Sequence, residues 1–166
     1  PSSWAAEQVS QAISAGIVPD SLQSQYTQPT TRAQFCALAV RLYESVKGEI
    51  PGRETFTDTD DINVQKMAAL GVVSGVGGGA FDPDGPLTRE QAATILARLS
   101  NAMGKPLAGG SHPFTDGVAS WADAAVGQVY QAGIMTGTGD ATFSPQGEYT
   151  RMQSIVTLMR LYTLVK

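Results

Sequence analysis

Three arginines in this chain share one local setting. Arg32, Arg89 and Arg151 each follow a threonine (Thr31, Thr88, Thr150), and a glutamine stands two residues further on (Gln34, Gln91, Gln153). A threonine with a glutamine three residues later is a capping box. The hydroxyl accepts a backbone N–H of the first helical turn, and the amide reaches back to the threonine's own N–H. Each arginine then sits at the first helical position. A helix start offers unpaired N–H groups and a partial positive charge. An arginine there adds a planar fork that pairs with a carboxylate in two places. The chemistry this suggests is capture of an anion, a carboxylate above all. A second arginine follows ten residues after each threonine, at Arg41, Arg98 and Arg160. At 100° per residue it lies about 180° round the helix from the first. Its expected role is structural, pairing with carboxylates or helix-end carbonyls of a neighbour.

Other site chemistry is sparse. Asp58-Thr59-Asp60-Asp61 has the start of a calcium loop, but its sixth position is Asn63 and its twelfth Ala69, where glycine and glutamate are needed. Gly77-Gly78-Gly79 has no phosphate-loop lysine after it and reads as a turn. His112 is the one histidine, in a linker before Pro113, with no nucleophile set to serve. Two acids suffice for a glycosidase, yet nothing places two in one cleft. Cys36, the one cysteine, lies in an apolar helix and reads as a buried small hydrophobe. No catalytic residue, metal ligand or cofactor is expected.

The 166 residues, 42% of them hydrophobic and 16% charged, suffice for one globular domain with a real core. A net charge of −4 argues against a nucleic-acid partner. No apolar run approaches the ~20 residues that span a bilayer, so membrane insertion is not expected. The chain starts at Pro1 rather than Met and reads as an excised or processed form, so the missing signal peptide says nothing about secretion.

The elements that hold these arginines repeat. Trp4 to Ala15 has a helical pattern that ends at Gly16, followed by Ile17-Val18. A second helical pattern starts near Asp60 or Asp61 and ends at Gly71-Val72. A third starts at Trp121 and ends at Gly133-Ile134. Each is followed by a loop and then the capped helix. From glycine to capping threonine is 15 residues in the first unit and 17 in the other two, while Thr31 to Thr88 is 57 and Thr88 to Thr150 is 62. The units hold while the polar linkers vary. The chain thus reads as an all-α fold of three helix–loop–helix repeats, at 1–47, 56–103 and 114–166, forming one domain over 1–166. The second helices are apolar almost all round and are the expected centre.

These residues resemble the S-layer homology repeat of bacterial cell-surface proteins. Unit two carries the resemblance through Phe56-Thr57-Asp58, Gly71-Val72, Phe81, Pro83-Asp84-Gly85-Pro86 and Thr88-Arg89-Glu90-Gln91. Unit three does so through Phe114-Thr115-Asp116, Trp121, Gly133-Ile134, Phe143 and Thr150-Arg151-Met152-Gln153. Unit one does so through Trp4, Gly16-Ile17 and Thr31-Arg32-Ala33-Gln34-Phe35. The resemblance implies a pseudo-threefold unit with a central three-helix bundle. It also implies grooves between repeats that bind a secondary cell wall polysaccharide, often with ketal-linked pyruvate on N-acetylmannosamine. Such a module is non-catalytic and extracellular, holding its parent protein on the cell wall.

Against that ligand, Arg32, Arg89 and Arg151 are the expected carboxylate partners. Trp4 and Trp121 are candidates to stack on a sugar face, or else core residues. Asp58 and Asp116 are candidates to accept sugar hydroxyls, or else caps. The sequence departs from the family pattern in ways that make the grooves unequal. Glutamine replaces the usual glutamate in all three units, unit one lacks the Phe-x-Pro-Asp-Gly run, and unit two has Thr59 where tryptophan is expected. Two other readings stay open. One is a structural or self-associating module of a surface protein without glycan affinity. The other is the non-catalytic anchor of a glycan-processing enzyme.

Overall fold

The structure is a computed structural model that describes residues 3–166; the first two residues of unit one lie outside it. Six α-helices follow one another: α1 Ala6–Ser14, α2 Arg32–Lys47, α3 Ile62–Ala69, α4 Arg89–Ala102, α5 Ser120–Gln131 and α6 Arg151–Val165. A short 3₁₀ turn, Asp20–Leu22, follows α1. Every second helix starts at its capping box. Thr31, Thr88 and Thr150 accept from Gln34, Gln91 and Gln153, whose side chains accept in return from the threonine N–H. The change from glutamate to glutamine leaves the cap intact because either side chain supplies the accepting oxygen.

The first helices share their ends rather than their starts. Gly16, Gly71 and Gly133 have φ of 78°, 76° and 73°, where a side chain would be strained. After each glycine the chain turns back. Ile17 N–H donates to Ala12 O, Val72 N–H to Met67 O and Ile134 N–H to Val129 O. These bonds and those of the glycine N–H groups form three Schellman motifs. The starts differ. Asp61 caps α3 through Asn63 and Val64. Neither α1 nor α5 has a side-chain cap, and α1 begins two residues later than the pattern from Trp4 predicts.

α2 packs on α3, α4 on α5 and α6 on α1, so each second helix holds the first helix of another unit. α6 also packs on both α2 and α4, which pack on each other less than either does on α6. The expected centre of three second helices is therefore built round α6. Ser154 and Thr157 are polar yet buried there. Their hydroxyls donate to the helix's own carbonyls, of Arg151 and Ser154, so burial leaves neither unpaired. The linkers expected to be polar are tied down. Ile50 is buried and donates its N–H to Glu44, and Met103 is buried beyond α4. No helix among the described residues is long and apolar enough to cross a membrane.

Candidate functional site

Each second helix begins against a turn of another unit. The turns are Asp82-Pro83-Asp84-Gly85 in unit two and Ser144-Pro145-Gln146-Gly147 in unit three. Both open on a residue in the left-handed region, Asp82 at φ 61° and Ser144 at φ 56°. Unit one, expected to lack this turn, builds it from Gln25-Tyr26-Thr27-Gln28 with Gln25 at φ 53°. Its signal in the sequence is the register of Pro29 with Pro86, each two residues before a capping threonine.

The joints then form in order. Arg32 and Ala33 N–H donate to Gly85 O and Pro83 O at 2.9 and 3.0 Å. Glu90 N–H donates to Pro145 O at 3.0 Å. Arg151 and Met152 N–H donate to Gln28 O and Tyr26 O at 2.8 and 2.9 Å. Unit one is joined to two, two to three, and three to one. This corrects the picture of an anion at the helix start. The first-turn N–H groups named here already have protein partners, and the third position is taken by the cap.

The three leading arginines follow the same order. Arg32 donates through Nε to Phe81 O and through a terminal nitrogen to Ser74 O, both at 2.9 Å. Arg89 does the same to Phe143 O at 2.8 Å and Thr136 O at 2.6 Å. Each guanidinium also lies over the phenylalanine ring, 4.4 Å away at Phe81 and 4.8 Å at Phe143. Arg151 makes one such bond, to Ser24 O at 2.7 Å, and its buried Nε has no partner among the described residues. Serine stands where the other units have phenylalanine. Burial lowers the Arg89 pKa, with Tyr149 and Asp116 acting in the opposite sense.

Asp58 and Asp116 serve the same turns from within their own units. Asp58 accepts from Phe81 and Asp82 N–H, and Asp116 from Phe143 and Ser144 N–H. These bonds, that of the phenylalanine first, hold both carboxyls below the usual aspartate range. Both aspartates thus hold their turns, the alternative to a contact with sugar hydroxyls, and neither lines a groove described below.

Three grooves open beside the second helices, numbered here by unit. Groove two, about 230 Å³, is where three units meet. Arg32 comes from unit one, Ser74, Gln91 and Arg98 from unit two, and Trp121 from unit three. Groove three, about 260 Å³, repeats the set with Arg89, Thr136, Gln153, Arg160 and Trp4. Its floor includes Gly137, where a Cβ would stand 2.6 Å from Thr142 O. Groove one, about 410 Å³, has Gln34 and Arg41, but Asp61 and Asn63 at the tryptophan side and no Arg151. Trp4 and Trp121 are 58% and 59% exposed, which decides against the core alternative.

Arg41, Arg98 and Arg160 were expected to be structural, and instead each lines a groove. The half-turn between the two arginines of a helix explains it. In units one and two the first reaches forward into the next unit's groove, and in every unit the second faces the groove of its own. Arg41 and Arg160 touch carbonyls of their own unit, Gly16 O at 3.4 Å and Ile134 O at 3.2 Å, not those of a neighbour. Arg98 is exposed and has no hydrogen bond or ion pair with another described residue. In all three grooves the glutamine's oxygen is fixed by the cap, which leaves its NH₂ as a free donor. Glu90 was also missed. Buried, it accepts from Ala119 N–H at 3.0 Å and from Gln146 at 2.6 Å, and so pins the start of α5 that carries Trp121. Ala33 and Met152 hold its place elsewhere.

Comparison with known proteins finds two matches to the S-layer homology domain, at residues 55–93 and 113–153. An S-layer protein of Bacillus thuringiensis subsp. finitimus is 33% identical over 106 residues, covering 63% of this chain and 12% of that protein. An amylopullulanase of Thermoanaerobacterium thermosulfurigenes is 33% identical over 111 residues, covering 61% of this chain and 6% of that protein. An endoglucanase of Bacillus sp. (strain KSM-635) is 32% identical over 107 residues, covering 58% of this chain and 11% of that protein. The matched part is thus a small fraction of each relative's length.

Proposed function

We propose that this chain, whose residues 55–93 and 113–153 match the S-layer homology domain, is a non-covalent wall anchor that binds an anionic cell wall polysaccharide in grooves two and three. Units 1–47, 56–103 and 114–166 act as one domain, with pyruvate ketals supplying the carboxylate. The observation that carries this reading is Arg98: an exposed guanidinium without a partner among the described residues, in the same cleft as Arg32, the Gln91 amide and the exposed Trp121. Donors without acceptors suit a carboxylate, and an open indole suits a sugar face. Groove one is the poorest host, since Asp61 brings a carboxylate and no tryptophan stands beside it. Alike segments in proteins named S-layer protein, amylopullulanase and endoglucanase favour an anchor used beside different partners, including the anchor part of an enzyme, over catalysis by this chain.

The test is calorimetric titration of the chain with wall polysaccharide, before and after mild acid removal of pyruvate. Binding should depend on pyruvate, and Arg98→Ala and Trp121→Ala should each weaken it in a folded protein. Arg151→Ala should not, provided it folds. Binding that ignores pyruvate and both groove substitutions refutes the mechanism. No binding to any wall fraction refutes the anchor and leaves the structural module.

A further inference from the structure

Groove two does not end at Arg98. A second cleft of about 300 Å³ continues from it between α4 and α5, with Thr94, Arg98 and Trp121 lining both. Its other walls carry no charge: Asn101 and Gln128 offer amides over Ala97, Ala125 and Leu107. Gln128 gives its NH₂ to Leu107 O and keeps its oxygen, and Asn101 is exposed. The same cleft recurs at the next seam, between α6 and α1, where Thr163 and Gln11 take these two positions beside Arg160. At the remaining seam the equivalent residues are Glu44 and Lys66. They close on each other in a salt bridge of 2.8 Å, and Glu44 also takes the N–H of Ile50.

The three seams thus hold one pair of positions in two states, open and uncharged twice, and closed by an ion pair once. A core requirement would fill all three alike. The inner compartment of groove two, at about 230 Å³, is below the ~300–1,000 Å³ usual for ligand sites, and the joined cleft is within it. We propose that the outer cleft beyond Arg98 is a second sugar subsite. It takes the uncharged residue next to the anionic one, so that the glycan passes between Arg98 and Trp121. This rests on the anchor reading above. Amides and a hydroxyl over small apolar side chains suit hydroxyl and N-acetyl groups, and they offer a second carboxylate no partner beyond Arg98.

The seam between units one and two supplies the test. Asn101→Glu with Gln128→Lys writes its ion pair into the open seam, a pairing this fold already accommodates. In a Trp4→Ala background, which weakens groove three, two probes are titrated. One is the methyl glycoside of pyruvylated N-acetylmannosamine. The other is the same residue joined to one further wall sugar. The disaccharide should bind about tenfold more tightly, or ~1.4 kcal/mol. The double substitution should remove that gain and leave monosaccharide affinity unchanged. Equal affinity for the two probes, or a gain that survives the ion pair, overturns the subsite while the groove stands. Binding of neither probe overturns the groove reading, and the subsite with it. A folding check by circular dichroism accompanies the variant. If it does not fold, Ala125→Trp fills the same cleft and faces the same two outcomes.

Discussion

Replacing Arg89 by alanine tests whether the leading arginines are joints before they are ligand groups. Arg89 holds Phe143 O and Thr136 O and lies over the Phe143 ring. A hydrogen bond to a charged group contributes ~1.5–3 kcal/mol and an aromatic contact ~0.5–2. Burial of the guanidinium, which lowers its pKa, offsets part of that sum. A net loss of about 3–4 kcal/mol is expected for Arg89→Ala, since both carbonyls lose their donor. At ~2–4 °C per kcal/mol for a chain of this size, the melting point should fall by about 10 °C. Arg151 makes one such bond and has an orphaned Nε, so Arg151→Ala should lose only about 1–2 kcal/mol. Arg89→Lys keeps the charge, but one ammonium does not reproduce the guanidinium fork, so it should recover less than half. Urea unfolding with a shared m-value reads all three. Equal losses at Arg89 and Arg151 would refute the argument, as would full rescue by lysine.

Three further outcomes follow from the same geometry. Trp4→Ala and Trp121→Ala should change stability by no more than about 0.5 kcal/mol, because both indoles are exposed; a collapse of the fold in either would return them to the core. Asp58 and Asp116 have depressed pKa values. Their contribution is therefore full well above the ordinary ~3.9 and is lost as the pH falls through the lower folded value. Asp116→Asn should lower the melting point at pH 7, with a smaller gap from the parent at pH 3. A gap that widens in acid would show the sign to be wrong. Cys36 is buried, and its thiol is pushed up to about 12. Iodoacetamide at pH 8 should label it only in urea, and labelling of the native chain at the rate of a free thiol would contradict that burial.

The local grammar of the fold was legible in the sequence. A threonine with glutamine three residues on is a cap wherever it stands, and a glycine after an apolar helix takes the left-handed turn, so six helix ends could be read from their own neighbours. The joints could not. The carbonyls that receive Arg32 and Ala33 N–H lie some fifty residues away, and nothing local marks a helix start as already covered. That is why the sequence points to the first arginine of each helix and passes over the second, which lines a groove as well. The half-turn between Arg89 and Arg98 was read correctly, but not that it points them into different grooves. The turn of unit one was hidden because its backbone is kept by Gln25 at positive φ, without the proline and glycine that advertise it in units two and three.

The order of the joints has a consequence for how the chain is strung together. In an open array of repeats each unit touches only its neighbours, and the two end units need special capping faces. Here the start of α6 bonds to the turn of unit one just as the start of α2 bonds to the turn of unit two, so no unit is terminal. A circular permutant, opened between 104 and 112 and rejoined by a flexible linker between the old ends, would keep all three joints and both tryptophan grooves. Opening it within 25–28 instead would break the one joint that already lacks a phenylalanine. The order in which the ribosome makes the units is thus not written into their contacts.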